Sequence, residues 1–199
     1  HLDHSAVASR LAASTGAPVL AFGTATEGRS PLMTRLAPGL PAHGEGLDHA
    51  FAPDRRLVDG DILSGPDWSL TAMHTPGHLS GHLCISLGKT LFSGDHVMGW
   101  STTIVSPPDG DMGAYMASLH RLADTVWSRF LPGHGDPVAA PMERLQELIV
   151  HRKTREAQIL TALKDGPAGI PGLTARIYHD IPRHLLPAAE RNVLAHLID

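Results

Sequence analysis

His1-Leu2-Asp3-His4 opens the chain and places three metal-binding side chains within four residues. Imidazole and carboxylate groups are the ligands that borderline cations such as zinc select in proteins. A chance H-x-D-H on a surface loop is an equally ordinary origin for this stretch alone. Whether this stretch belongs to a metal site therefore depends on whether distant parts of the chain supply further ligands.

Three later motifs supply such ligands, and each ends an apolar run beside glycine or proline. They are Thr75-Pro76-Gly77-His78, Ser93-Gly94-Asp95 and Pro132-Gly133-His134-Gly135. Corners between strand and loop let a scaffold aim a ligand, and independent coincidence of all four motifs is improbable. The candidate metal ligands are therefore His1, Asp3, His4, His78, Asp95 and His134.

This order of motifs resembles the metallo-β-lactamase-fold hydrolase superfamily over nearly the whole chain. The resemblance implies an α+β fold, an αβ/βα sandwich of two sheets with helices outside and a dinuclear site at one edge. It also implies that His1, His78 and Asp95 hold one metal, and that Asp95 bridges to a second held by three further ligands: Asp3, His4 and His134. The superfamily pattern has another histidine two positions before His1, and N-terminal strands before that. We expect both upstream of this sequence.

The chemistry expected from such a site is hydrolysis by a hydroxide that bridges two metal ions. A carboxylate bridge holds two ions about 3.5–4 Å apart, so that both act on one water and lower its pKa. Asp3 is the candidate catalytic residue because it can orient the water or accept its proton. We expect two zinc ions per chain, although the same ligands accept manganese or iron. No organic cofactor is expected.

Composition excludes several classes of protein. Hydrophobic residues make up 42% and charged residues 18% of the 199 residues, with a net charge of −4. No apolar run approaches the roughly 18 residues of a membrane helix, so we expect no membrane partner. The single cysteine, Cys84, fits a reducing compartment, which favours a cytoplasmic location and a buried, inert thiol.

Local patterns predict a mixed domain followed by helices. Ser5 is the predicted N-cap of a helix that Gly16 ends, and the Gly- and Pro-rich stretch 23–53 is predicted to be a long loop. The remaining predicted elements are strands at 18–22, 68–74, 82–87, 90–93 and 126–131, and helices at 111–124, around 173–179 and 187–198, with one long helix from Pro141. We expect a catalytic domain over 1–140 and a helical module over 141–199.

The C-terminal module resembles the winged-helix-like domain of the lactamase-like protein 2 group. The residues that carry this resemblance are the basic stretch His151-Arg152-Lys153-x-Arg155, Ile177-Tyr178, and Pro187-Ala188-Ala189-Glu190. Characterised members of that group include endoribonucleases that act on single-stranded RNA, and related polyketide thioesterases carry a similar appendage. A lid that only packs on the catalytic domain is an equally good interpretation.

Three functions follow from these resemblances, two hydrolytic and one oxidative. An RNA phosphodiester is the first choice, with single-stranded RNA as the partner, and an acyl thioester is the alternative, as in glyoxalase II-like enzymes. Antibiotic hydrolysis is disfavoured because true β-lactamases often have cysteine where this chain has Asp95. The negative net charge weighs against RNA, whereas a basic path from Arg152 and Arg155 to the metals would favour it. The third choice is a mononuclear iron oxidoreductase resembling persulfide dioxygenases. A homodimer is compatible with all three.

Other polar residues near the motifs are secondary candidates. His74, His82, His96 and His120 do not match the ligand spacing and are expected to be packed or exposed, although His96 could line the pocket and His74 could support a ligand. Gly99-Trp100-Ser101-Thr102-Thr103 either contacts substrate or forms a capped turn with a core aromatic.

Overall fold

The computed structural model describes residues 1–40 and 46–199. Within them, seven strands and seven α-helices follow one another along the chain. In order, the elements are α1 (Leu2–Ser5), α2 (Ala8–Thr15), β1 (Leu20–Ala21), α3 (Pro31–Leu36), β2 (Arg55–Arg56), β3 (Ile62–Ser64), β4 (Ser69–His74), β5 (Leu83–Leu87), β6 (Thr90–Gly94), α4 (Met112–Ala123), β7 (Arg129–Pro132), α5 (Pro141–Lys164), α6 (Ile170–Ile177) and α7 (Leu186–Ile198).

Strands β3 to β7 form one five-stranded sheet in sequence order. The β3–β4, β4–β5 and β5–β6 pairs are antiparallel, and β6 pairs with β7 in parallel. Gly88 has φ of +57°, and Leu87 pairs with Thr90, so the predicted two-residue hairpin turn is confirmed. Strands β1 and β2 form a separate parallel pair. Because two antiparallel steps separate β4 from β6, the strands β4, β6 and β7 all point the same way.

Helices α4 and α5 cover one face of this sheet and build the main core. Alternate strand residues such as Cys84, Leu91 and Phe130 meet Tyr115 of α4 and Leu148 of α5 in one buried cluster. Burial raises the pKa of the Cys84 thiol to about 12, as expected for an inert cysteine. This core fixes the strand ends from which the loops with the candidate ligands emerge.

A second, smaller core joins the far half of α5 to α6 and α7. Its buried members are Ile159, Leu173, Ile177, Tyr178, Ala189 and Val193. The predicted boundary between residues 140 and 141 coincides with the start of α5 and stays a prediction. No helix in the described parts of the chain is long and apolar enough to cross a membrane.

Two local predictions are wrong for identifiable reasons. Ser5 does not cap a helix, because its hydroxyl donates to Asp48 Oδ2 at 2.7 Å and α1 already includes it. The predicted loop 23–53 contains helix α3, which Ser30 caps by accepting a hydrogen bond from the Met33 amide, with Pro31 in the first turn. Serine followed by proline is a helix-start signal that the loop prediction overlooked. Residues 41–45 of that prediction lie outside the described residues.

Acid is expected to destabilise the C-terminal helices through His151 and His196. Burial, together with the charge of nearby Arg152, lowers the pKa of both imidazoles from the ordinary value of 6.5 to about 4. The unfolded chain therefore binds more protons than the folded one once the pH falls below 6.5, and stability is lost progressively down to about pH 4. Thermal unfolding at pH 7.5, 6 and 5 measures this loss. His196→Gln should flatten the dependence, whereas His184→Gln, at an exposed position, should leave it unchanged.

Candidate metal centre

The six candidate ligands meet at one edge of the five-stranded sheet. His78 follows β4, Asp95 follows β6 and His134 follows β7, and these three strands run in the same direction. Their carboxyl ends therefore face the same edge, which is where the N-terminal turn carrying His1 to His4 also lies. The sheet topology explains why ligands so distant in sequence are neighbours.

Four of the candidates form a cluster with the spacing of a metal site. The ligand atoms of Asp3, His4, Asp95 and His134 all lie within 4.8 Å of one another. His4 Nε2 is 3.0 Å from Asp95 Oδ2, and His134 Nε2 is 3.0 Å from Asp3 Oδ2. His134 Nε2 is also 3.6 Å from Asp95 Oδ2.

The other two candidates, His1 and His78, adjoin the same carboxylate. His78 Nε2 lies 3.8 Å from Asp95 Oδ2 and 3.2 Å from His1 Nδ1. Asp95 is thus the residue that the two sets share, as the predicted bridging position requires. The structure brings all six predicted residues together, and their assignment as metal ligands stays a prediction.

His78 is oriented as a metal-binding imidazole would be. Its Nδ1 lies 2.8 Å from the carbonyl oxygen of Ile104, the arrangement in which Nδ1–H donates and Nε2 keeps its lone pair. Burial lowers the pKa of His78, so the ring is neutral near physiological pH. A neutral ring aimed at Asp95 by a backbone carbonyl is prepared to bind a cation.

Asp95 provides the clearest sign that the cluster suits a cation. Burial acts to raise the pKa of its carboxyl group, but the hydrogen bond with His4 and the charges of nearby histidines outweigh burial and hold the pKa below its usual value. The same hydrogen bond raises the pKa of His4. Oδ1 of Asp95 is buried without a hydrogen-bond partner in the described part of the chain. An unpaired buried carboxylate oxygen is costly, and a metal ion would satisfy it.

Gly133 lets the third ligand loop approach Asp95. Its amide donates to the carbonyl oxygen of Gly94 at 2.9 Å, which continues the β6–β7 pairing into the site. A Cβ atom on Gly133 would lie 2.5 Å from Asp95 Oδ1 and 2.8 Å from His4 Cε1. The glycine in the Pro132-Gly133-His134 motif is therefore required by the closeness of the cluster.

The four histidines considered as secondary candidates are packed or exposed, as expected, but two finer expectations are wrong. His96 does not line a pocket, because it is fully buried with its ring 4.7 Å from that of Tyr115. Within the described residues His74 makes no hydrogen bond to a candidate ligand; it stacks on Phe22, and its Nε2 lies 2.8 Å from the carbonyl oxygen of Ser80. His82 is half-buried beside Thr75, and His120 is exposed on α4.

The stretch 99–103 divides between the two roles considered for it. Trp100 is 71% exposed and, with His134, lines an open cavity of about 630 Å³. Thr103 is buried, and its hydroxyl donates to the backbone carbonyl oxygen of Asp95. Trp100 is therefore placed to contact a substrate, and Thr103 holds the backbone of Asp95 in the candidate ligand cluster.

A second cavity of about 290 Å³ adjoins His1 and His4. Among the described residues, its lining includes Phe22, Phe51, Leu79 and the carboxylate of Asp48, but no lysine or arginine. These residues come from separated segments without periodicity, so no sequence pattern would have grouped them. Apart from the Asp48 carboxylate and the two histidines the lining is mostly apolar, which suits an apolar part of a substrate.

Comparison with known proteins agrees with this architecture. The family model described as the metallo-beta-lactamase superfamily matches residues 1–134, and that of the beta-lactamase associated winged helix domain matches residues 170–199. A metallo-beta-lactamase family protein from Thermus thermophilus has the same fold, with a TM-score of 0.69 at 24% identity, over 89% of this chain and 65% of that one. A protein crystallised in a di-iron-bound form has a TM-score of 0.53 at 29% identity, over 72% of this chain and 70% of that one.

Two curated relatives are also similar to this chain in sequence. The Beta-lactamase-like protein 2 homolog of Drosophila melanogaster is 34% identical over 65% of this chain and 44% of its own length. The atrochrysone carboxyl ACP thioesterase of Aspergillus fumigatus is 32% identical over 69% of this chain and 44% of its own. The matched region thus spans less than half the length of these relatives.

Proposed function

Since the chain belongs to the metallo-beta-lactamase superfamily, we propose that it is a metal-dependent hydrolase that cleaves acyl thioesters. The superfamily fold is of the hydrolase type, and a relative at 32% identity is named as an acyl carrier protein thioesterase. The observation that carries the choice of substrate is the largely apolar cavity beside His1 and His4, whose described lining holds the Asp48 carboxylate and no lysine or arginine. An acyl chain transfers favourably from water into such a cavity, whereas a polyanion needs cationic partners.

The six clustered residues fit two metal ions, which we propose to be zinc. His1, His78 and Asp95 would hold one ion, and Asp95 would bridge to the other, held by Asp3, His4 and His134. Bound ions would acidify a water molecule and polarise the thioester carbonyl. Iron is the alternative metal, given the structural relative crystallised with two irons. Metal analysis of the purified protein distinguishes the two.

The chain's own residues would guide the proton and the substrate. Asp3 is the more exposed carboxylate of the cluster, with a side chain 53% accessible compared with 12% for Asp95. It is therefore the group placed to accept the proton of the attacking water at Oδ2. The water oxygen bonds to the carbonyl carbon, the carbon–sulfur bond breaks, and the proton passes to the departing thiolate. The apolar cavity would hold the acyl chain during this step.

RNA phosphodiester hydrolysis, the first choice from sequence, is our second candidate. Similarity to the beta-lactamase-like protein 2 homologs favours it, and the exposed indole of Trp100 beside His134 could stack on a base. The basic path that would favour RNA is not supported at Arg152 and Arg155. Arg152 is 1% exposed, and Arg155 covers the Tyr178 ring at 4.3 Å.

A side-by-side comparison of the two substrate classes tests the proposal. Zinc-loaded protein is incubated with acyl-coenzyme A thioesters of increasing chain length, and separately with end-labelled single-stranded RNA. We expect thiol release that rises with acyl length, together with intact RNA. RNA cleavage without thiol release would overturn the thioester assignment in favour of the second candidate. One iron per chain in the protein as purified, together with oxygen consumption, would instead favour the mononuclear iron oxidoreductase.

Phe51→Ala is expected to weaken binding of long acyl chains. Removing an aromatic wall from an apolar pocket costs on the order of 1–2 kcal/mol, so KM for a long-chain thioester should rise about tenfold. KM for the acetyl thioester should stay near the wild-type value. Phe92→Ala removes a 42% exposed phenyl ring from the sheet, outside the cavity, and serves as the control. Equal effects on acetyl and long-chain substrates would argue against an acyl pocket at Phe51.

A further inference from the structure

The segment from Thr103 to Val105 holds two of the proposed metal ligands in place. The carbonyl oxygen of Ile104 lies 2.8 Å from His78 Nδ1, and the hydroxyl of Thr103 donates to the backbone carbonyl of Asp95. A displacement of this segment would therefore rotate one ligand and shift another. What holds the segment consequently matters to the metal centre.

The C-terminal helices hold it through a buried arginine. Arg152, on α5, donates from one guanidinium nitrogen to the carbonyl oxygen of Thr103 and from another to Asn192 Oδ1 on α7, the latter at 3.0 Å. The same Asn192 oxygen accepts from the Val105 amide at 3.2 Å. Helices α5 and α7 of the C-terminal module thus form hydrogen bonds with Thr103 and Val105, the residues on either side of Ile104.

Arg152 makes these contacts at an electrostatic cost. Its side chain is 1% exposed, its Nε has no hydrogen-bond partner, and among the described residues no carboxylate forms an ion pair with it. The ring of Tyr115, 5.3 Å away, offers partial compensation, and the Tyr115 hydroxyl donates to the carbonyl of His96 in the same loop. A buried charge without a counter-ion destabilises a fold, and an apolar side chain of similar length often serves stability better. A contribution to stability alone therefore does not explain why position 152 is an arginine.

We infer that Arg152 is a positioning residue through which the C-terminal module sets the geometry of the metal centre. Its planar fork reaches Thr103 and Asn192 together, which a lysine ammonium cannot reproduce. The inference rests on the proposed metal site. It assigns the C-terminal helices a task at that site, in addition to any contact with substrate.

Cobalt binding tests the inference without relying on turnover. Metal-free wild-type protein, Arg152→Met and Arg152→Lys are titrated with Co²⁺ and followed by the visible absorption of the bound ion. Loss of a residue that orients metal ligands typically lowers metal affinity by about 10- to 100-fold. We expect a loss in that range and an altered cobalt spectrum for Arg152→Met, with a smaller loss for Arg152→Lys.

A matched control separates positioning from simple destabilisation. Leu173→Ala opens the small core of the same module without touching the segment 103–105, so it should lower the unfolding temperature and leave Co²⁺ affinity unchanged. Wild-type affinity and spectrum in Arg152→Met would overturn the inference, as would an equal loss of affinity in Leu173→Ala. If Arg152→Met does not fold, Asn192→Ala replaces it, with the same expectations. A wild-type protein that binds no Co²⁺ would contradict the metal site itself, whereas failure confined to the variants contradicts only the role of Arg152.

Discussion

Asp95→Asn is expected to lose bound metal and to lower kcat/KM to less than about a thousandth of the wild-type value. An amide has the shape of the carboxylate but no charge, so it cannot bridge two cations, and the buried position of Oδ1 loses the metal ion that would satisfy it. A loss of roughly 4 kcal/mol of transition-state stabilisation already accounts for three powers of ten in rate. Elemental analysis of the purified variant and steady-state thioester hydrolysis provide the two readouts.

The matched control for this variant is Asp109→Asn. Both aspartates are 9% exposed, but Asp109 pairs with Arg29 and is not one of the clustered residues. We expect Asp109→Asn to lower the unfolding temperature and to retain its metal. Wild-type metal content and activity in Asp95→Asn would sink the model of a shared carboxylate.

Gly133→Ala is expected to disrupt the metal centre almost as strongly, by a steric route. The added methyl group would lie 2.5 Å from Asp95 Oδ1 and 2.8 Å from His4 Cε1, closer than van der Waals contact allows. The Gly133 amide is also tied to Gly94, so the loop cannot retreat without breaking the β6–β7 pairing. Ligand displacement of about 1 Å typically costs on the order of a hundredfold in rate, and we expect at least that loss.

Metal content, cobalt spectrum and thermal unfolding should be measured together for Gly133→Ala. Gly172→Ala is the control, because a Cβ at that helical position would have no neighbour within 4 Å. It should be neutral or slightly stabilising, since alanine favours a helix over glycine by about 1 kcal/mol. Gly133→Ala with wild-type metal affinity would show that the cluster is looser than these distances indicate.

Sequence alone could predict the elements that carry the candidate ligands. His78, Asp95 and His134 follow strands whose apolar runs and glycine corners are local signals, and their spacing could be matched to one superfamily. The hairpin turn could likewise be predicted from the dipeptide Gly88-Lys89 between two apolar runs. These features were predictable because the information for each lies within a few neighbouring residues.

Features that depend on packing between distant segments could not be predicted. A solvated helix face was one of the interpretations open for Arg152 and Arg155, yet Arg152 is buried against Thr103 and Asn192. Periodicity identifies a helix but not which neighbour covers each face. The apolar cavity near Phe51 was missed for the same reason. Helix α3 is a different case, because its capping serine and proline were visible in the sequence.

Helix α5 has a consequence for how this protein can be recombined with its relatives. Its 24 residues extend about 36 Å, and they contribute Leu145 and Leu148 to the main core and Ile159 to the small one. A chimera joined at the start of α5 would replace part of the main core with foreign side chains. A junction in the turn at Gly166 keeps the interior of the sheet intact. Helix α5 is therefore part of both cores, and the C-terminal helices are best exchanged between relatives at a junction after this helix.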